Sequence, residues 1–108
     1  MDTAQVITAL AALAQDTRLA IFRLLVQTGP QGLAASKIAD ALGVAPSSLS
    51  FHLKDLAHAG LVTATPQGRF IIYAANFAAM GALVGFLTDN CCGGNACLPV
   101  ASTTCATQ

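Results

Sequence analysis

Three of the four cysteines in this 108-residue chain lie within seven positions near its end. Cys91 and Cys92 are adjacent, Cys97 follows after the pair Gly93-Gly94, and Cys105 stands apart. Glycine lets a backbone turn sharply, so three sulfurs are predicted to converge on one point, and thiolate-rich sites select soft ions. A disulfide between the two neighbours would be strained, because adjacent Cα atoms are about 3.8 Å apart, below the usual disulfide range. A bridge from either neighbour to Cys97 remains open under oxidation.

Three neighbouring thiols favour a trivalent metalloid over zinc. Zn²⁺ takes four ligands, and an anionic thiolate site after a helix would face the negative end of its dipole. Trivalent arsenic or antimony takes three sulfurs and exchanges its hydroxyls for thiols to give a neutral complex. We therefore expect As(III) or Sb(III) at Cys91, Cys92 and Cys97, with Cys105 as an optional ligand. Zinc or another divalent thiophilic metal, a redox-active cysteine pair, and thiols without a dedicated ligand are the alternatives.

The composition indicates one folded domain whose surface is partly covered by a partner. Hydrophobic residues make up 55% of the chain and charged residues 9%, against about 25% charged in an average domain. This excludes a disordered chain, and it favours a second copy covering exposed apolar surface. Because the net charge is zero, DNA binding would have to come from a local basic patch.

The chain predicts neither export nor a membrane span. Met1-Asp2-Thr3 carries no basic segment typical of a signal peptide. Residues 70–87 are apolar, but they open with a strand-like tetrapeptide, and Asn76 then caps a helix of about a dozen residues, too short to span a bilayer. We expect a cytoplasmic protein, in which four cysteines indicate metal or redox chemistry rather than structural disulfides.

Five helices and one β-hairpin are predicted to position the cysteines. The second helix is capped by Asp16 or Thr17, and its buried stripe consists of Leu19, Phe22, Leu25 and Val26. The other predicted helices span residues 3–15, 34–42, 46–59 and 76–89, and the hairpin strands span residues 61–65 and 69–74 around a turn at 66–68. Two short helices around Gly43, followed by a hairpin, predict a mainly α winged helix-turn-helix fold. The fifth helix is apolar nearly all round, which indicates burial on both sides.

The fourth helix combines an apolar stripe with a polar face that carries one aromatic residue. Its core stripe is Leu49, Leu53, Leu56 and Ala57, and its opposite face holds Ser47, Phe51, Lys54 and His58, flanked by Ser48 and Asp55. In a major groove Phe51 would contact thymine methyls; alternatively it packs under the hairpin or the third helix. Lys37, Lys54 and Arg69 would neutralise phosphates, whereas Arg18 and Arg23 would serve solubility or a local ion pair. His52 lies at the flank of this polar face, and its position favours a hydrogen bond within the domain over a base contact.

Three segments resemble the ArsR/SmtB family of metalloregulators. They are residues 16–25, residues 42–56 with Ser50-x-His52-Leu53-Lys54-x-Leu56, and residues 59–73 with the Gly68-Arg69 wing. The resemblance implies a homodimer that binds operator DNA when metal-free and releases it when metal binds. It implies DNA contacts from Ser50 and His52, in addition to Lys37, Ser47, Ser48, Phe51, Lys54 and Arg69.

The chain departs from parts of that family's pattern. No cysteine pair occurs in residues 32–36 of the third-helix region, and no histidine follows His58, so two of the family's metal sites are absent. Asn90-Cys91-Cys92-Gly93-Gly94 resembles arsenic repressors with thiols at the end of the fifth helix, with Cys97 the expected third ligand.

Together these features predict a dimeric repressor that responds to As(III) or Sb(III), and not an enzyme. The chain has no C-x-x-C motif, paired carboxylates or Cys-His nucleophile that would favour catalysis. Trivalent organoarsenicals, a divalent thiophilic metal and a thiol redox switch remain alternative signals. Residues 1–90 would form the DNA-binding and dimerisation domain, and residues 91–108 a metal-binding loop and flexible tail. The expected dimer interface lies on the first and fifth helices, at Val6, Leu10, Leu13, Met80, Gly81, Val84 and Gly85.

Overall fold

Five helices and a three-stranded antiparallel sheet form the part of the chain described by the computed structural model, residues 1–90 and 93. The order is α1 (Thr3–Leu13), α2 (Asp16–Thr28), β1 (Leu33–Ala34), α3 (Ala35–Leu42), α4 (Pro46–His58), β2 (Val62–Gln67), β3 (Phe70–Ala75) and α5 (Phe77–Thr88). The helix pair α3–α4, followed by the β2–β3 hairpin, confirms the predicted winged helix-turn-helix fold.

Side chains that cap the first two helices set where they begin. At α1, the Asp2 carboxylate accepts from the Gln5 amide (2.8 Å), and the Gln5 side chain accepts in return from the Asp2 amide (2.9 Å), a capping box. The prediction that Asp16 or Thr17 caps α2 is wrong, because the Gln15 side chain accepts from the Arg18 amide (2.8 Å). Asp16 instead lies in the first turn of α2, where its negative charge interacts favourably with the positive end of the helix dipole.

The hydrophobic core lies where the helices meet the base of the hairpin. Its largest fully buried side chains are Ile21, Leu25, Ile38, Leu49, Leu53, Leu56 and Leu61. The predicted burial of Leu19 and Ala57 is wrong, because both residues are exposed. In α2 the buried stripe centres on Ile21, Phe22 and Leu25, about a third of a turn away from Leu19 at 100° per residue.

A third strand, absent from the sequence prediction, ties the wing to the helix-turn-helix. In β1, Leu33 pairs with Tyr73 and Ala34 pairs with Ile72, so the sheet order is β1-β3-β2. Gly32 precedes this strand with φ +71°, and a Cβ there would collide with the carbonyl oxygen of Tyr73. Glycine is therefore required for the close approach of these two backbones. Two residues are too few to show an alternating pattern, so the sequence did not reveal β1.

The wing is longer, and its turn tighter, than predicted. The strands pair as far as Gln67 with Phe70, which leaves Gly68 (φ +63°) and Arg69 as the turn instead of residues 66–68. Pro66 lies within β2 opposite Ile71. It is tolerated there because β2 is an edge strand, which pairs on one side only. Arg69 consequently lies at the tip of the wing.

Helix α5 is buried on one side only in the single chain. Asn76 caps it as predicted, since its side-chain oxygen accepts from the Ala79 amide (3.1 Å). Leu83 is the one buried residue of α5, whereas Val84 and Leu87 are exposed. The predicted burial of the second side therefore depends on a partner, which a single chain does not contain. None of the described helices combines the length and apolar character needed to cross a membrane.

Candidate DNA interface and regulatory face

Backbone geometry between α3 and α4 sets the angle of the helix-turn-helix. Gly43 ends α3 in the left-handed conformation (φ +65°), and the Val44 amide donates to the carbonyl of Ala39 (3.1 Å). Pro46 then occupies the first turn of α4, where its missing N–H costs nothing. Because Ala45 at the N-cap has no side-chain oxygen, the first amides of α4 remain available to an anion.

The outer face of α4, which consists of Ser47, Ser48, Ser50, Phe51 and Lys54, is exposed along its whole length. Phe51 is 71% exposed, which excludes the alternative that it packs under the hairpin or α3. The Ser50 hydroxyl donates to the carbonyl of Pro46 (3.1 Å), so its oxygen remains free to accept. A protruding aromatic ring among small hydroxyls suits contact with an apolar group at the floor of a major groove.

The wing brings Arg69 to the same side of the molecule as α4. A groove between α3, α4 and β3 is lined by Ser36, Ser50 and Arg69, among others. Lys37 is also exposed, on the first turn of α3. Arg69 and the hydroxyls of Ser36 and Ser50 therefore line one groove beside α4, an arrangement suited to phosphate contacts.

The sequence led us to expect a hydrogen bond within the domain for His52, and its Nδ1 does not form one with any described residue. The residue is half-buried, and Nδ1 is buried with no hydrogen-bond partner among the described residues. It lies beside the outer face of α4 rather than on it.

Arg18 joins three helices through one guanidinium group. Its Nε donates to the carbonyl of Ala12 in α1 (2.6 Å), and Nη1 lies 3.1 Å from Oδ2 of Asp55 on α4. Arg18 thus forms an ion pair, but with a residue 37 positions away and not the local pair that was predicted, and it neutralises a carboxylate at the edge of the outer face of α4.

A second exposed surface is apolar and belongs to the first and last helices. We call it the α1–α5 face; it consists of Ile7, Leu10, Gly81, Val84, Gly85 and Leu87, all of them exposed. A Cβ added at Gly81 or Gly85 would meet no atom within 4 Å, so a backbone can approach closely there. Leu13 and Met80, also predicted at the interface, are half-buried.

Val6 was expected at the dimer interface, and the structure contradicts this. It is 3% exposed and packs into the core of its own chain. The neighbouring Ile7, rotated by about 100° around the helix, is on the surface instead.

The predicted metal ligands Cys91, Cys92, Cys97 and Cys105 lie outside the described residues. Asn90, which directly precedes Cys91, adopts φ +55°. The amide of Gly93, which follows Cys92 and has φ +67°, donates to the Asn90 carbonyl (3.0 Å). Within residues 1–90 and 93, no three His, Cys, Asp or Glu side chains are grouped to hold a metal. The described part of the chain therefore offers no rival metal site to the four thiols.

Comparison with known proteins agrees with this arrangement. Residues 13–64 match a family described as a helix-turn-helix domain. No curated protein gives a significant match. An ArsR-like transcriptional regulator from Rhodococcus sp. RHA1 is similar in structure, with a TM-score of 0.69, 32% identity, and coverage of 78% of this chain and 76% of that chain.

Two further solved structures extend the likeness. The homodimeric winged helix-turn-helix domain of a possible ArsR-family regulator from Mycobacterium bovis is 32% identical, with a TM-score of 0.64 and coverage of 88% of each chain. A possible transcriptional regulator for arsenical resistance is 30% identical, with a TM-score of 0.63 and coverage of 73% of this chain and 79% of that chain. With identity of 30% or more over most of these chains, the protein belongs to the ArsR family and is a DNA-binding transcriptional regulator, not an enzyme.

Proposed function

We propose that this regulator is a homodimeric repressor that binds operator DNA when metalloid-free and releases it when As(III), or Sb(III), binds the thiols of Cys91, Cys92 and Cys97. One observation carries the proposal: the first thiol comes three positions after Thr88, the last residue of α5. The same helix contributes four of the six residues of the α1–α5 face. A ligand held by the thiols would therefore act next to the surface that pairs two copies.

The charges around the end of α5 favour a neutral ligand complex. The last turn of α5 contains no basic residue, and Asp89 follows it directly. Both the helix dipole and this carboxylate disfavour thiolate anions nearby. Arsenous acid avoids the problem, because three As–O bonds are replaced by three As–S bonds and each hydroxyl leaves with a thiol proton as water. The product carries no net charge.

Dimerisation would provide the DNA affinity that one copy lacks. Lys37, Lys54 and Arg69 are the exposed cations expected to contact phosphates, and three are too few for a strong electrostatic contribution from one chain. Two copies related by a two-fold axis would place two α4 helices in successive major grooves, about one helical turn of DNA apart. The Mycobacterium bovis relative is described as homodimeric, and another relative is described as a possible regulator of arsenical resistance. Both descriptions agree with the proposal.

A mobility-shift titration tests the proposed switch. The operator is selected from random DNA with the metalloid-free protein, and arsenite is then added to the complex. We expect arsenite to weaken DNA binding by about 5- to 150-fold, the usual range of allosteric coupling. Changing Cys91, Cys92 or Cys97 to Ser should abolish this effect, whereas Cys105→Ser is the matched control and should retain it. Unchanged DNA affinity with arsenite bound at the thiols would exclude the switch.

X-ray absorption on the arsenite-loaded protein tests the ligand set directly. Three sulfur neighbours are expected in the wild type and fewer in each of the three critical serine variants. A Cys97→Ser protein that still responds to a methylated trivalent arsenical would favour organoarsenical sensing by two thiols. Release of DNA by peroxide, without any arsenite effect, would favour a redox switch instead.

A further inference from the structure

Asn76 stands between the end of α4 and the start of α5 and bonds to both. Its side-chain Oδ1 accepts from the amide of Ala79 (3.1 Å), which caps α5. Its Nδ2 donates to the carbonyl of Gly60 (3.0 Å), and its backbone amide donates to the carbonyl of Leu61 (2.8 Å). Three polar groups of one residue therefore connect the two helices.

The two carbonyls that accept from Asn76 belong to the residues that terminate α4. The amide of Gly60 (φ +76°) donates to Ala57 (3.0 Å), and the amide of Leu61 donates to Leu56 (3.0 Å), which together form a Schellman motif. Leu61 is fully buried and Asn76 is half-buried, so water competes little for these bonds. A shift in the first turn of α5 would therefore reach the last turn of α4 through short, well-defined contacts.

We propose that Asn76 is the positioning residue that couples α5 to α4, so that any displacement of α5 reorients the outer face of α4. The direction of the switch rests on the proposed function, but the hydrogen bonds themselves do not depend on the identity of the ligand. Coupling between two sites is reciprocal, so operator DNA bound at α4 must in turn alter α5.

Two substitutions remove the side-chain bond of the link to Gly60 while keeping the cap of α5 and the backbone bond to Leu61. Asn76→Asp retains an oxygen for the Ala79 amide but removes the Nδ2 donor and sets an oxygen against the Gly60 carbonyl. Asn76→Ser also retains a capping hydroxyl but is too short to reach Gly60. Gln15→Ala is the matched control, because it removes a cap hydrogen bond at α2 (2.8 Å to the Arg18 amide) and leaves the α4–α5 link intact.

Hydrogen exchange at the first turn of α5 tests the coupling without any metalloid. In the wild type and in Gln15→Ala, operator DNA should change the exchange rates of the Ala79 and Met80 amides by about threefold or more. In both Asn76 variants the same DNA should change these rates clearly less than in the wild type, because only the backbone bond to Leu61 still connects the two helices. A merely structural role for Asn76 would lower thermal stability in the variants and in the control alike but would preserve the DNA effect. An equal DNA effect in all proteins would overturn the proposal.

The arsenite titration supplies the second measurement. In the Asn76 variants, arsenite should bind with unchanged stoichiometry, but the loss of DNA affinity that it causes should be at least about fivefold smaller than in the wild type. An undiminished loss would count against the coupling. If arsenite has no effect on wild-type DNA binding, the proposed function fails, while the exchange experiment still decides the role of Asn76.

Discussion

The guanidinium of Arg18 on α2 lies 3.1 Å from the carboxylate of Asp55 on α4, the helix whose outer face is the candidate DNA-reading surface. The Arg18 side chain is only 20% exposed, whereas that of Asp55 is 60% exposed. Asp55 therefore faces the solvent that DNA would displace, and the less exposed guanidinium of Arg18 offsets its negative charge. In a chain with five basic and five acidic residues, the position of one such pair affects the field that phosphates meet.

Arg18→Gln should weaken DNA binding through Asp55. The unpaired carboxylate would repel nearby phosphates by about 1 kcal/mol in water, or about fivefold in affinity for each copy. The variant should also lose about 1 kcal/mol of stability, because the bond from Arg18 to the Ala12 carbonyl is removed. Fluorescence anisotropy and urea unfolding measure the two effects separately. Adding Asp55→Asn should restore the affinity but not the stability, and a double variant that binds DNA as weakly as Arg18→Gln would exclude the electrostatic explanation.

Phe51→Ala should reduce operator affinity and barely change stability, because a ring that is 71% exposed contributes little to the core. Contact with one thymine methyl should contribute about 0.8 kcal/mol, or about fourfold in affinity. Replacing single thymines of the operator by uracil removes only this methyl. The wild type should lose affinity at one thymine per half-site, and Phe51→Ala should lose none there. Leu19→Ala, at another exposed apolar residue, is the control and should retain the wild-type response to uracil.

The sequence was sufficient to predict the helix-turn-helix and the polar face of α4, because both depend on local signals. Gly43 ends α3, Pro46 opens α4, and Leu49, Leu53 and Leu56 repeat with the helical period. These features require no knowledge of distant residues. The predicted thiol ligands remain a prediction, since they lie outside the described residues.

Features that depend on distant contacts were missed or misplaced. The pairing of Leu33 with Tyr73 joins segments forty positions apart, and two residues carry no period. The sequence predicts Pro66 in the turn, because proline favours turns, yet the edge strand β2 accommodates it. Val6 was predicted on the α1–α5 face, but Ile7 lies there instead. The prediction was wrong by one position around the helix, because an alanine-rich sequence does not define which side of the helix is buried.

Gly32→Ala should lower the free energy of unfolding by more than the strain of a left-handed backbone conformation alone. Gly32 and Gly43 have similar φ values, +71° and +65°, but a Cβ at Gly32 would collide with the Tyr73 carbonyl oxygen, whereas one at Gly43 would meet no atom within 4 Å. Gly43→Ala should therefore lose about 1–2 kcal/mol of unfolding free energy from backbone strain only. Gly32→Ala should lose measurably more in the same urea titration. Equal losses would mean that the β1–β3 contact contributes nothing to stability.

Val84→Asp should convert the protein from dimer to monomer if the α1–α5 face pairs two copies. In a two-fold interface every substitution occurs twice, so the variant loses two valines and gains two carboxylates in an apolar contact. Each valine contributes less than the about 1.5–3 kcal/mol of a fully buried side chain, because Val84 is already more than half buried within its own chain. Leu19→Asp is the matched control, because Leu19 on α2 is 43% exposed and Val84 is 46% exposed. Sedimentation equilibrium should show a monomer only for Val84→Asp. The same variant should keep its affinity for a single half-site but lose affinity for the full operator. Dimers of equal stability in both variants would place the contact between copies elsewhere on the chain.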